Sequence, residues 1–145
     1  SRGIDIGDAL VRKGFSVRQI LTFCAEKRIG PDITTEELVR YIVIPETAEC
    51  RTFYMDSEFM RECGGPQKAD KLVSHSWKVP FSTAVINILL DASELTLSEL
   101  ERIGGERWLM WGSEGKLMHW YPRHALRELE HHVLDRTYWL CIFAV

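Results

Sequence analysis

The sequence predicts an α/β fold, and two segments carry the prediction. Lys71-Leu-Val-Ser-His-Ser-Trp77 and Thr137-Tyr-Trp-Leu-Cys-Ile-Phe-Ala-Val145 both read as strands, the second almost unbroken in its apolar character, as in parallel sheets covered on both faces. Between them Pro80-Phe-Ser-Thr-Ala-Val-Ile-Asn-Ile-Leu-Leu90 follows the first strand after a tight turn as a strongly apolar helix, with Pro80 suited to its first turn. Strand, short loop and buried helix make half of a β-α-β unit. The expected sheet thus has parallel strands at about 71–76 and 138–145, with the helix 80–92 packed on it.

The N-terminal third reads as helical because capping chemistry marks its starts. Ser16-Val-Arg-Gln19 and Thr34-Thr-Glu-Glu37 fit the capping-box pattern, in which a hydroxyl and a side chain three residues on satisfy free N–H groups. The first leads into Ile20, Leu21, Phe23 and Cys24 and ends near Gly30-Pro31. The second leads into Leu38, Val39 and Ile42 and is expected to stop at Pro45. An earlier helix, about Ile6 to Arg12, is expected to close at Gly14. Residues 48–70 lack periodicity, and Gly64-Gly-Pro66 punctuates them. The division expected from this is a helical segment and connector at 1–66 and an α/β unit at 67–145.

Beyond the central helix, Thr96-Leu-Ser-Glu99 starts a short helix expected to terminate at Gly104-Gly105. Arg107 to Trp111 and Lys116 to Tyr121 flank Gly112-Ser-Glu-Gly115 as a hairpin. Ala125, Leu126, Leu129, Val133 and Leu134 form the stripe of one amphipathic helix over 123–135.

Composition narrows the classes of function. The chain has 145 residues, 46% of them hydrophobic and 27% charged, the balance of one soluble globular core. Its net charge of −3 offers no general attraction to phosphate backbones, so nucleic acid is not an expected partner. No apolar run approaches the roughly 20 residues of a membrane span. Ser1-Arg-Gly-Ile-Asp has neither an initiator Met nor the apolar stretch of a signal peptide, and the chain is expected to be a fragment of a longer protein. Cys24, Cys50, Cys63 and Cys141 are widely spaced, which fits a reducing, intracellular setting; Cys24 and Cys141 are expected in the core.

Candidate chemistry gathers where the first sheet strand ends, the edge at which open α/β sheets bind ligands. Ser74, His75 and Ser76 are the candidate catalytic residues. His75 changes charge near neutrality, and the two hydroxyls with the next helix N-terminus could hold an anion. Equally, the three could satisfy backbone groups at a strand end while Trp77 packs as a lid; both readings are open. Trp77, Lys78, Trp108, Trp111, Trp120 and Tyr121 are candidate binding residues, for a planar ligand or a partner protein. His119, His124, His131 and His132 have no spacing suited to a shared metal, so no metal site is expected. The absence of Gly-x-Gly-x-x-Gly and of a Walker loop argues against a Rossmann or P-loop nucleotide site, and no cofactor is expected.

Ser74-His-Ser-Trp77 and Trp139-Leu-Cys-Ile-Phe-Ala-Val145 resemble the two anchoring strands of the heterokaryon-incompatibility (HET) domain, a relative of the Toll/interleukin-receptor (TIR) fold. That family has Ser-x-x-Trp on the first strand and a later strand that begins Trp-Ile-Asp and ends Cys-Ile-Asn-Gln. Cys141 stands where the family has Asp, and Lys78 where it usually has Gly. Leu38 to Pro45, Gly64 to Trp77 and Thr137 to Phe143 are also similar to an expanded set of proteins from microscopic algae, with Lys-Leu-Val-Ser-His-x-Trp and Tyr-Trp-x-Cys-x-Phe strands. The resemblance implies an incomplete TIR-like (flavodoxin-like) parallel sheet behind a helical N-terminal segment. It also implies a non-catalytic protein–protein interaction module or accessory subunit of a larger assembly, with a protein partner. The alternative it raises is a nucleotide- or NAD-directed hydrolase acting at Ser74, His75 and Ser76. The helix-borne glutamate of NAD-cleaving TIR domains has no counterpart that can be placed in this chain.

Overall fold

The computed structural model describes residues 9–111 and 117–143, leaving aside the side chains of 105–111, 118 and 119. The first strand, β1 (Phe15–Ser16), runs directly into helix α1 (Val17–Glu26). Ser16 Oγ accepts from the Gln19 amide at 3.1 Å while Gln19 Oε1 accepts from the Ser16 amide at 2.8 Å, the reciprocal cap expected. Gln19 is buried, and its Nε2 also donates to the carbonyls of Cys63 (3.2 Å) and Gly65 (2.6 Å). One side chain therefore both starts α1 and clamps the connector, where Gly64 (φ 107°) and Gly65 (φ 71°) occupy the left-handed region that glycine adopts without strain.

The second capping box also forms, at the start of α2 (Thr35–Leu38). A π-helical turn at Val39–Val43 follows, and then α3 (Ile44–Thr47), so the helix passes through Pro45 instead of stopping there. Pro45 has no amide to donate, and its ring crowds the carbonyl four residues earlier. The widened turn, with the Ile44 amide on the Val39 carbonyl, lets the chain continue. A 3-10 turn at Tyr54–Asp56 and α4 (Glu58–Glu62) lead to β2 (Lys71–Val73). Helix α5 (Phe81–Ser93) is the central apolar helix, with Phe81, Val85, Ile88 and Leu89 buried.

Next come α6 (Leu97–Trp108), β3 (Leu109–Trp111) and β4 (Leu117–Trp120), an antiparallel pair where the hairpin was expected; its Gly112–Gly115 loop lies outside the described residues. Helix α6 does not stop at Gly104-Gly105; it continues to Trp108. The stripe at 123–135 forms two helices, α7 (Pro122–Glu128) and α8 (His131–Leu134), because Leu129 and Glu130 are extended at ψ 144° and 153°. The last strand is β5 (Thr137–Leu140).

The three-stranded sheet has the order β1-β5-β2. β5 pairs parallel with β2, Leu72 opposite Trp139, as expected, but antiparallel with β1, so the sheet is mixed and not all-parallel. Both expected strands are shorter than read. β2 ends at Val73, and β5 gives way to a 3-10 turn at Cys141–Phe143. That turn rotates Cys141 into solvent, which corrects its expected core placement; Cys24 is buried, and burial pushes its thiol pKa up.

Coverage of the sheet is uneven, Tyr138 and Leu140 of the central strand being buried and Trp139 between them half-buried. Tyr138 donates to Asp91 of α5 at 2.6 Å, and Lys71 reaches the same carboxylate at 3.0 Å. The hydroxyl and the ammonium hold that carboxyl below its ordinary range. α5 thus covers the face of Lys71 and Tyr138. Leu72, on the opposite face of an edge strand, is 70% exposed, where a buried strand was expected. The hydrophobic core draws on both the N-terminal segment and the sheet, joining Phe15, Phe23, Tyr54, Phe81 and Phe143.

Candidate functional site

The residues expected to carry chemistry lie on the loop that follows β2, and tertiary contacts decide their environments. This loop lies across the start of α2. The Thr35 amide donates to the Val79 carbonyl at 3.1 Å and the Glu36 amide to the Trp77 carbonyl at 2.9 Å. Thr34 Oγ1 accepts from the Glu37 amide at 3.2 Å, so the first donors of α2 are all satisfied by protein. Thr34 and Pro80 form an antiparallel bridge, and the Phe81 amide at the start of α5 donates to the Ile33 carbonyl at 2.8 Å.

His75 is turned inward, where its Nε2 shares a hydrogen bond of 2.5 Å with the buried hydroxyl of Thr35. Among the described residues this is its hydrogen-bond contact, and no carboxylate orients the ring. Burial lowers its pKa from the ordinary 6.5. Ser74 and Ser76 are exposed, Ser76 Oγ accepting from the Lys78 amide at 3.4 Å within the turn. The loop thus brings His75 to Thr35 and leaves the two hydroxyls facing solvent. A nucleophile, base and orienting acid in mutual hydrogen-bond reach do not converge here.

The His75–Thr35 contact makes a stability prediction with a definite sign. Because the folded-state pKa is lowered, the unfolded chain takes up a proton as pH falls below 6.5 before the folded chain does. Stability therefore declines through the window just below 6.5. Replacing His75 with Gln, which does not titrate, is expected to flatten that part of the profile. The check is the difference in Tm between wild type and His75→Gln at pH 7.5 and pH 5; parallel profiles would refute it.

The candidate binding residues separate into different places. Lys78 is exposed. Trp77, 38% exposed, lines an open cleft of about 720 Å³ with Val39, Val43, Ile44 and Phe53. Trp120 is buried at the end of β4, with no acceptor for its indole N–H among the described residues, and Tyr121 beside it is 48% exposed, stacked on His124 at 5.5 Å. Those two line a cleft of about 400 Å³ against the end of α1. Trp108 closes α6 and Trp111 lies in β3, their side chains outside the described residues. His119 is likewise outside them. His131 Nδ1 contacts Arg18 at 3.2 Å and His132 pairs with Glu130 at 3.1 Å. Among the described residues no group of His, Cys, Asp or Glu is placed to hold a metal ion.

The Trp77 cleft recruits residues that the sequence did not single out. Lys13 and Asp56 pair at 2.8 Å on its border, Phe53 forms a wall, and Arg51 lines it. A signal existed in Ile44, an apolar side chain of the cleft that lies off the buried stripe of Leu38, Val39 and Val43 and is 56% exposed. No family model matches the chain, and no curated protein or solved structure matches it.

Proposed function

We propose that this chain is a non-catalytic protein–protein interaction module or accessory subunit, docking through the surface around residues 72–79. The carrying observation is an inversion of the usual pattern: Leu72, Trp77 and Val79 are exposed, while His75 between them points inward onto Thr35. Apolar side chains left partly in solvent on an edge strand and the loop after it are what a partner covers. Covering Leu72, which is 70% exposed, would contribute up to roughly 1.5–3 kcal/mol, and Trp77 and Val79, 38% and 36% exposed, only part of that each. Kinship with the HET/TIR superfamily belongs to this proposal too, supported by the parallel β2–β5 pair.

The test compares the chain with a Leu72→Ser/Trp77→Ser/Val79→Ser variant of unchanged circular dichroism. A partner retained by wild type and identified by mass spectrometry is expected to be lost by the variant, and neither protein is expected to turn over NAD or ribonucleotides. Turnover by wild type that His75→Ala abolishes without unfolding would replace this reading with a hydrolase acting at Ser74, His75 and Ser76.

A further inference from the structure

The cleft beside Trp77 carries a charge that pairs with no carboxylate among the described residues. Its apolar walls are Val39, Val43, Ile44, Phe53 and Trp77, three of them supplied by the widened turn that takes the helix through Pro45 and by the residue after it. Two cations line it as well. Lys13 is spent: its ammonium lies 2.8 Å from Asp56 and 5.5 Å from the centre of the Phe53 ring. Arg51 has no ion pair among the described residues, and the carboxylate of Glu46, close in sequence, is engaged by Lys27 at 2.9 Å and by the Tyr54 hydroxyl at 2.7 Å.

The backbone at Arg51 adds an independent observation. Its φ is 49°, in the left-handed region, and its amide donates to the Thr47 carbonyl at 2.9 Å to close the helix. Glycine occupies such a position with the least strain. An arginine there is worse than glycine for closing the helix, and the same residue lines the cleft.

Building on the interaction-module reading above, we infer that this cleft accepts an apolar side chain of a partner segment whose adjacent residue is Asp or Glu, with Arg51 receiving the carboxylate. The apolar walls hold the anchor. Arginine pairs with carboxylate through parallel N–H···O bonds, and complementary charge at the border confers specificity. With Lys13 already neutralised, the cleft keeps one positive charge to match one acid.

The experiment pans a random heptapeptide library on the immobilised full chain. Selected sequences are expected to carry Leu, Ile, Phe or Trp directly next to Asp or Glu. Arg51→Gly is expected to weaken those peptides about tenfold while the Tm stays at or above that of wild type, since the substitution relieves the left-handed strain. Arg51→Glu is expected to shift selection toward Lys or Arg. Peptides that need Trp77 but show no acidic preference, or whose affinity is unchanged in Arg51→Gly, would overturn the inference and leave the interaction module standing. Selection of no peptide that depends on Trp77, or saturable binding of octanoate without any peptide, would overturn both.

Discussion

Replacing Phe143 with Ala is expected to remove about 3–5 kcal/mol of stability, the range for truncating a fully buried phenylalanine, and so a large share of the roughly 5–15 kcal/mol that holds a typical domain. Phe143 is fully buried in the 3-10 turn after β5. Its ring centre lies 5.4 Å from that of Phe15, 5.2 Å from Phe23, 5.5 Å from Tyr54 and 6.0 Å from Phe81, most of these edge-on. These partners come from β1, α1, the 3-10 turn at Tyr54–Asp56 and α5, so one ring joins the N-terminal helices to the sheet and its covering helix. A cavity there cannot close by a local shift, because four rigid rings on four elements border it. Urea unfolding at pH 7.5 measures the effect as a lower midpoint with an unchanged slope. A loss under about 1 kcal/mol would show that the aromatic cluster is looser than its geometry. Phe143→Leu, which keeps most of the apolar volume, should cost less than the Ala variant.

How much of this arrangement could be read from sequence depends on the range of the forces involved. Ser16–Gln19 and Thr34–Glu37 were legible because a capping box is complete within four consecutive residues. The parallel neighbours β2 and β5 were legible as apolar runs separated by a helix of matching pattern. Their limits were not. Lys71-Leu-Val looks alike at the centre and the edge of a sheet, and only the strand order shows that Leu72 is uncovered. Cys141 shares the apolar neighbourhood of Ile142 and Phe143, yet a change from extended chain to 3-10 turn reverses its side, since no alternation in so uniform a run announces it. The same holds for the candidate site. His75 and Trp77 were visible as residues, but the hydroxyl that engages His75 is 40 positions away, and the cleft at Trp77 is completed by residues 39–56. Non-local partners of this kind leave no mark in the local pattern.

Gly14 shows the same limit in a residue whose presence was noticed for a different reason, and it yields the second large effect. From sequence it closes a helix; in the fold it is where three stretches of backbone come together. A Cβ at this position would lie 2.7 Å from the Ala69 Cβ, 2.7 Å from the Tyr138 carbonyl oxygen and 3.0 Å from the Gln67 carbonyl oxygen. Two of these neighbours are main chain and cannot rotate away. Relief would require separating the chain before β1 from Gln67, where the two amides donate to each other's carbonyls at 2.8 Å, and from the central strand β5. Overpacking together with strain on those two hydrogen bonds leads us to expect Gly14→Ala to cost about 3 kcal/mol. Urea unfolding would give the value, and faster hydrogen exchange at the Gly14 and Gln67 amides would place the damage. The added change Ala69→Gly removes the contact with the Ala69 Cβ but leaves both carbonyls, so the double variant should recover only part of the loss. Full recovery would mean that the side chain of Ala69, and not the approach of the backbones, is what requires glycine here.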